Sequence, residues 1–323
     1  MKAIVQDRYG SPDVLELRDI DKPVVKDNEV LVRIRAAAVN PYDWHFLRGD
    51  PYLVRAMKGL RKPRQAFVAG ADMAGTVESV GKDVTRLHPG DDVYGEISAG
   101  CFAEHVSVPE NRVAPKPANL TFEQAAAVPM AALTALQGLR DKGQIESGQK
   151  ILINGASGGV GTFAVQIAKT FGAEVTGVCS TTNVEMVRSI GADHVIDYTE
   201  EDFTRSGQRY DLLLDMVGNH SLSALRRALT SKGTLVLGGG KGGRWLGPVA
   251  KLLRAVSLSP FVSQRMRSFV AKPNREDLEL LKELIESGRV TPVIDRTYSL
   301  AETPDAIRYL EEGHARGKVV ITV

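Results

Sequence analysis

Two cysteines in 323 residues, Cys101 and Cys179, exclude a disulfide framework and a four-thiolate zinc site. Six histidines, among them His45, His88 and His105, stand without ligand spacing. A charge of one sign is also lacking. The 41 basic side chains against 39 acidic ones leave +2, which gives no reason to expect nucleic acid or anionic lipid as a general partner. No apolar run is long enough to span a bilayer, and the chain opens Met1-Lys2-Ala3-Ile4-Val5, already strand-like, so neither a signal peptide nor a transit peptide is expected. No internal repeat or low-complexity tract is present. These absences lead to the expectation of a cytoplasmic chain in a reduced compartment.

What the chain has is glycine in one telling place. Lys150 to Asn154 is a short β-branched run, Gly155-Ala156-Ser157-Gly158-Gly159-Val160-Gly161 a glycine cluster, and Thr162 to Lys169 an apolar-periodic helix. Strand, tight turn and helix in that order form the first unit of a dinucleotide-binding βαβ fold. The first glycine of the usual G-x-G-x-x-G is Ala156 here. Gly158 and Gly159 let backbone approach a pyrophosphate, Gly161 lets the helix pack on the strand, and the helix N-terminus offers N–H groups to the anion. Ala156, Ser157, Gly158, Gly159 and Val160 are therefore candidate cofactor contacts.

Residues 1–120 read as mostly β, with short strands such as Val30–Ala36 and Ala74–Val80 punctuated by Gly, Pro and Asp, which suggests a barrel-like domain. A short helix starts at Asn40-Pro41-Tyr42-Asp43, with Asp43 as its expected cap. From Thr121 the character changes. Thr121-x-x-Gln124 is a capping box ahead of an alanine-rich helix expected to reach about Arg140. Strands and helices then alternate: Glu174–Cys179, a helix Asn183–Ile190, His194–Asp197, Asp211–Asp215, a helix to about Thr230, and Gly233–Leu237. That spacing means a doubly wound parallel sheet. A last long helix covers Glu276–Glu286, and Val290–Ser299 and Lys318–Val323 return as strands. The expected fold is α/β, with a Rossmann domain at 121–288 and a β-rich substrate domain made of 1–120 and 289–323.

This organisation resembles the medium-chain dehydrogenase/reductase superfamily. Ala38-Val39-Asn40-Pro41-Tyr42-Asp43, Gly70-Ala71-Asp72-Met73-Ala74-Gly75, the glycine cluster and Gly313-His314-Ala315-Arg316-Gly317-Lys318 are similar to its zinc-independent quinone oxidoreductase branch, especially the reticulon-4-interacting-protein-like and chloroplast-envelope-like members. The resemblance implies a GroES-like first domain and a homodimer. Positions resembling the catalytic zinc ligands of related alcohol dehydrogenases hold Asn40, Ala71 and Met130; alanine and methionine are not zinc donors of the required kind, so no metal is expected.

Without a Lewis acid, the chemistry expected is reduction of an already polarised acceptor, a quinone or α,β-unsaturated carbonyl, by direct hydride transfer. Such an acceptor needs donors for its developing oxyanion and a proton source. Asn40 can donate from its amide, Tyr52 matches a family position facing substrate, and Tyr42 is a third candidate. Each has a plainer reading: a turn residue before Pro41, or a packed ring. The cofactor follows from the end of the second nucleotide strand, where NAD enzymes place a carboxylate. Here Cys179, Ser180, Thr181, Thr182 and Asn183 bring none, and their hydroxyl and amide groups suit the 2′-phosphate of NADPH. The resemblance adds Tyr198 at that phosphate and Thr134 at the nicotinamide. Val217, Gly218, Gly238, Gly239 and Gly240 end the fourth and fifth strands at the carboxyl edge, and Gly317 and Lys318 reach the cofactor from the C-terminal return. Arg188 is a further charge on the helix after Asn183.

Two stretches stay open. Arg55–Arg64 carries five basic residues, either a solvated loop or an attraction for an acidic substrate or membrane surface. Trp245–Phe269 is apolar with spaced Arg and Lys and has helical parts suited to covering a substrate cleft, joining subunits or resting on a membrane. The expectation is an NADPH-dependent, zinc-free quinone or enone reductase. Its rivals are an enoyl-thioester reductase and a non-catalytic NADPH-sensing protein.

Overall fold

The computed structural model describes residues 1–50, 52, 55–56, 59–63, 66–238 and 263–323. Gly239, Gly240, Trp245 and its neighbours to 262, and Met57, Lys58 and Arg64 of the basic run, lie outside the described residues. The chain divides into two compact units, one of residues 1–133, 272–288 and 292–323, the other of residues 134–271 and 289–291.

The second unit is organised by Lys150–Asn154, an apolar strand hydrogen-bonded in parallel on both sides. Numbered in chain order from it, the six parallel strands stand 3-2-1-4-5-6: His194–Asp197, Glu174–Cys179, Lys150–Asn154, Tyr210–Asp215, Leu229–Leu237 and Arg265–Ser268. This is the doubly wound order of dinucleotide-binding sheets. Leu152, Val178, Leu213 and Leu235 pack as one buried cluster with Phe203 and Leu225. The glycine cluster turns into the helix Gly159–Thr170, whose residues 161–168 are all buried. Two helices are shorter than the sequence pattern: a 3₁₀ turn, Thr181–Asn183, precedes Val184–Ser189, and the helix after the fourth strand is Leu222–Arg227. Arg265–Ser268, at the described end of the stretch Trp245–Phe269, is a strand whose Met266 is buried against the sheet edge.

The first unit is built on Glu29–Val39. This long strand pairs antiparallel with Asp72–Val80, His105–Pro109 and Lys318–Thr322. The seven-stranded sheet is completed by Ile294–Ser299, Asp92–Glu96 and Val113–Pro115. Lys2–Gln6 forms a second sheet with Glu16–Asp19 and Phe67–Val68. Val30, Val32, Ile34, Val106, Val319 and Ile321 join the core between them.

Three expectations are corrected here. Asn40, not Asp43, is the N-cap of Pro41–Arg48; Asp43 sits three residues on and accepts the Asn40 backbone N–H at 2.7 Å. The helix expected from Thr121 to Arg140 is broken into Phe122–Ala126, Pro129–Gln137 and a π-helical turn Gly138–Gly143. Pro129 has no N–H to continue the first piece. A helix absent from the sequence reading, Thr303–Glu311, buries Ala306 and Ile307. The helix Arg275–Glu286 groups with the first unit rather than with the sheet of parallel strands, since the Tyr94 hydroxyl donates to the Leu278 carbonyl and the Asn119 amide to that of Ile285.

Candidate active site

In the second unit the glycine turn makes a cradle. Gly155 has φ +90°, and a Cβ on Gly161 would run into the Gly155 carbonyl oxygen, so helix and turn approach as only glycine allows. The N–H groups of Gly155 and Ala156 are held by the Val178 carbonyl at 3.2 and 3.0 Å, while Gly158 caps the helix without a side chain. Beside it, the Asn183 amide donates to Ser157 Oγ at 3.3 Å and to Ser180 Oγ at 3.1 Å. Its Oδ1 is buried with no partner, an acceptor aimed at something the chain itself does not supply. These groups fit a nucleotide.

Around the cradle, Thr181 Oγ1 lies 3.0 Å from Thr199 Oγ1. The Asp197 carboxylate binds the Thr199 N–H and hydroxyl, and its hydrogen bonds, that with Thr181 first, hold it below the usual carboxylate range. Tyr198 is exposed and its N–H donates to the Cys179 carbonyl. Cys179 is buried, which pushes its thiol up to about 11. Arg188 is paired with Glu185 at 2.7 Å. At the sheet's carboxyl edge Asp215 was not singled out by the sequence. Its buried Oδ1 accepts from Asn154 Nδ2 at 2.9 Å and from the Gly218 N–H at 2.9 Å, fixing the Val217-Gly218 turn next to Gly155. The Gly238 N–H reaches the Asp215 carbonyl at 3.1 Å.

The first unit holds a separate buried polar cluster. Asn40 leaves the end of the long strand, Asp72 begins the neighbouring strand, and Lys318 begins the strand on the other side. Lys318 Nζ donates to Asn40 Oδ1 at 2.5 Å and to Asp72 Oδ2 at 3.3 Å, with side chains 3% and 0% exposed for Lys318 and Asp72. The Asn40 amide donates to Asp72 Oδ2 at 3.0 Å and to the Ala38 carbonyl at 3.3 Å. Asp72 Oδ1 takes the Met130 N–H at 3.0 Å. Gly317, at φ +94°, lies against the Val293 carbonyl, a conformation that delivers Lys318 inward. Both Asn40 amide hydrogens are engaged, so donation to an acceptor requires one of these bonds to open. Lys318, a cofactor candidate by sequence, has its ammonium in this cluster.

Two more carboxylates complete the cluster. Burial pushes Asp43 up to about 7, offset by its bond from the Asn40 N–H and reinforced by Asp72. Burial and then the Asp72 charge push Glu96 up to about 8. Asp72 is itself raised by burial, against the opposing pull of Lys318, Asn40 and the Met130 N–H. The Cys101 thiol, donating to the Ala71 carbonyl, is raised for the same reason. Tyr42 donates its hydroxyl to the Ser98 carbonyl at 3.0 Å, and burial, with Asp43 and Glu96, raises it to about 12. Tyr52 stacks under the Arg55 guanidinium at 5.0 Å from the ring centre. Glu96 belongs to no short motif, and Asp72, though inside the Gly70–Gly75 motif, was given no role there; only their burial, which a sequence does not print, marks them.

Comparison with known proteins identifies the class. Residues 26–118 match the alcohol dehydrogenase GroES-like domain and residues 190–321 the zinc-binding dehydrogenase domain. The chain belongs to the medium-chain dehydrogenase/reductase family, with a GroES-like first domain and a Rossmann sheet. Within it, the chain is 39% identical over 335 residues to the 2-methylene-furan-3-one reductase of Solanum lycopersicum, covering 99% of this chain and 79% of that protein. It is 36% identical over 335 residues to the NADPH-dependent alkenal/one oxidoreductase, chloroplastic, of Arabidopsis thaliana, with the same coverage, 99% and 79%. The quinone oxidoreductase of Coxiella burnetii superposes with a TM-score of 0.90 at 31% identity, covering 100% of this chain and 99% of that one. Among the described residues no group of three or more His, Cys, Asp or Glu is arranged to hold a metal, and the Asn40 and Asp72 oxygens already face an ammonium.

Proposed function

We propose that this chain is an NADPH-dependent reductase of quinones or α,β-unsaturated carbonyl compounds. The observation that carries the reading is the glycine cradle at the head of a helix, with the Asn183–Ser180–Ser157 cluster beside it bringing hydroxyl groups and no carboxylate. Hydroxyl and amide groups there favour a phosphorylated ribose over a free one. The names of the reductases from Solanum and Arabidopsis support both the cofactor and the acceptor class.

Bound NADPH would supply the hydride. Gly158 and Gly159 would take the pyrophosphate at the helix N-terminus, Ser180, Thr181 and Asn183 the 2′-phosphate end with Tyr198 over it, and Thr134, Val217, Gly218 and Gly238 the nicotinamide half. The acceptor oxygen would be held by backbone N–H groups, by the Tyr52 hydroxyl, and by Asn40 once its 3.3 Å bond to Ala38 opens. A buried ammonium at Lys318 places positive charge in that region without a metal. A homodimer and residence in the cytoplasm belong to the same reading, and among the described residues no helix is long and apolar enough to cross a membrane.

The test is NADPH oxidation against quinones, 2-alkenals, alkenones and enoyl thioesters, with NADH in parallel and a chelator present. Chelator-resistant turnover of quinones or enones with NADPH is the expected result. Preference for enoyl thioesters would move the chain to the rival reductase class, and tight NADPH binding without any turnover would refute catalysis.

A further inference from the structure

Glu96 ends the strand Asp92–Glu96 inside the polar cluster and is 8% exposed. Its Oε2 is buried and has no hydrogen-bond partner. Its neighbour across the sheet is Asp72, directly paired in register. Asp43 approaches from the helix Pro41–Arg48, Lys318 from the strand Lys318–Thr322 and Arg112 from a 3₁₀ turn. The Tyr42 phenol and the Cys101 thiol also feel its charge. Among the described residues the Lys318 ammonium is the one cation fully buried with the three carboxylates, and Arg112, only half-buried, also acts on Glu96, so full ionisation would leave negative charge out of water without a buried partner. Neutrality needs two protons on the three acids. Asp72 has the ammonium and two further donors and best bears the charge. The protons therefore fall to Asp43 and Glu96. Asp43 already accepts a backbone N–H on Oδ2. The bare Glu96 oxygen is the place for an O–H that has nothing in the chain to donate to.

Resting on the reductase reading above, we infer that the Glu96 carboxyl is the proton store of the reduction. Its O–H bond breaks as the acceptor gains a new C–H or O–H bond. The electron pair and the other hydrogen arrive as hydride from NADPH, and the Glu96 carboxylate regains its proton from water. The direction of its shift agrees: burial and the Asp72 charge keep the proton on up to about pH 8.

The test compares the full-length wild type with Glu96→Gln, whose amide is neutral and close in shape to the protonated acid, and with Glu96→Asp, which keeps a titratable group. The first readout is urea unfolding from pH 5 to 9. The folded wild type binds one proton more than its unfolded chain above the ordinary value of 4.5, so it loses stability as pH rises to about 8 and then levels off. E96Q lacks that loss, and the ratio of its folding constant to the wild-type one should climb roughly tenfold per pH unit across that window. A flat ratio, or an E96Q chain that does not fold at pH 6, would overturn the protonated state and the proposal with it. The second readout is the pH profile of kcat with an enone. Wild-type kcat should fall above about pH 8. In E96Q it should be lower by roughly 10²-fold and lack that limb, with KM little changed, and E96D should restore a limb at a shifted pH. An E96Q enzyme with wild-type kcat and the same limb would overturn the catalytic role alone. A wild type that turns over no acceptor would overturn the reductase reading and this role together, and is recognised by the wild type failing.

Discussion

Replacing Lys318 with methionine removes the one ammonium of the buried cluster while nearly keeping its length. Asp72 then stands fully buried with two donors left, the Asn40 amide and the Met130 N–H, both at 3.0 Å. Remaining ionised without its cation costs about 3–5 kcal/mol in a buried site. The alternative is to keep a proton that the unfolded chain has lost. Relative to an unfolded aspartate near pKa 3.9, holding it costs about 1.36 kcal/mol per pH unit, which is about 4 kcal/mol at pH 7 and about 1.5 kcal/mol at pH 5. The sign follows from proton counting: the mutant's folded state binds the extra proton, so its deficit against wild type grows as pH rises. Urea unfolding of K318M at pH 5 and pH 7 measures both values. A deficit of about 4 kcal/mol would remove about a quarter or more of a typical domain's stability of about 5–15 kcal/mol, so the pH 5 measurement also guards against a chain too weak to study at pH 7. The double variant K318M/D72N leaves no buried charge at this pair and should recover most of the loss at pH 7. A K318M deficit that is equal at both pH values, or a double variant no more stable than K318M, would show that the pair does not carry the charge balance derived from its geometry.

Two further outcomes test the cradle. Gly161→Ala sets a Cβ against the Gly155 carbonyl oxygen and the Ala156 backbone, and should weaken NADPH binding by about five- to 150-fold, the equivalent of roughly 1–3 kcal/mol of overpacking, as read by fluorescence titration. Asn183→Asp puts a carboxylate between Ser157 and Ser180, and should lower the ratio of kcat/KM for NADPH over NADH by roughly tenfold or more; an unchanged ratio would remove Asn183 from the phosphate end.

The parallel sheet was legible because each of its elements is local. Glu174–Cys179 and His194–Asp197 lie where the alternation of apolar runs and helices places them, and the glycine turn announces itself in seven residues. The failures were also local in cause. Pro129 interrupts a helix whose alanine content otherwise reads as continuous, and Asn40 takes the cap that Asp43 supports from the third position. The polar cluster is a different case. Asn40 could be named from its resemblance to a zinc-ligand position of related alcohol dehydrogenases, but what it binds could not, since its partner Lys318 lies 278 positions away. Asp72, Glu96 and Lys318 come from three strands and meet only when the sheet is assembled. Their chemistry depends on burial and on each other's charge, quantities that no spacing encodes. Lys318 therefore read as a cofactor contact on the C-terminal return, although its side chain is almost wholly enclosed among these carboxylates.

The long separation between that lysine and its carboxylates also sets a timetable. Lys318 is made 246 residues after Asp72. At a synthesis rate of roughly 5–20 residues per second, Asp72 waits about 10–50 s for its cation. Through that interval the strand Glu29–Val39 lacks its neighbour Lys318–Thr322, and Asp43, Asp72 and Glu96 have no ammonium to close around. The sheet headed by the glycine turn is under no such constraint, since its first five strands are complete by Leu237. The half of the protein that is synthesised first is thus the half that settles last.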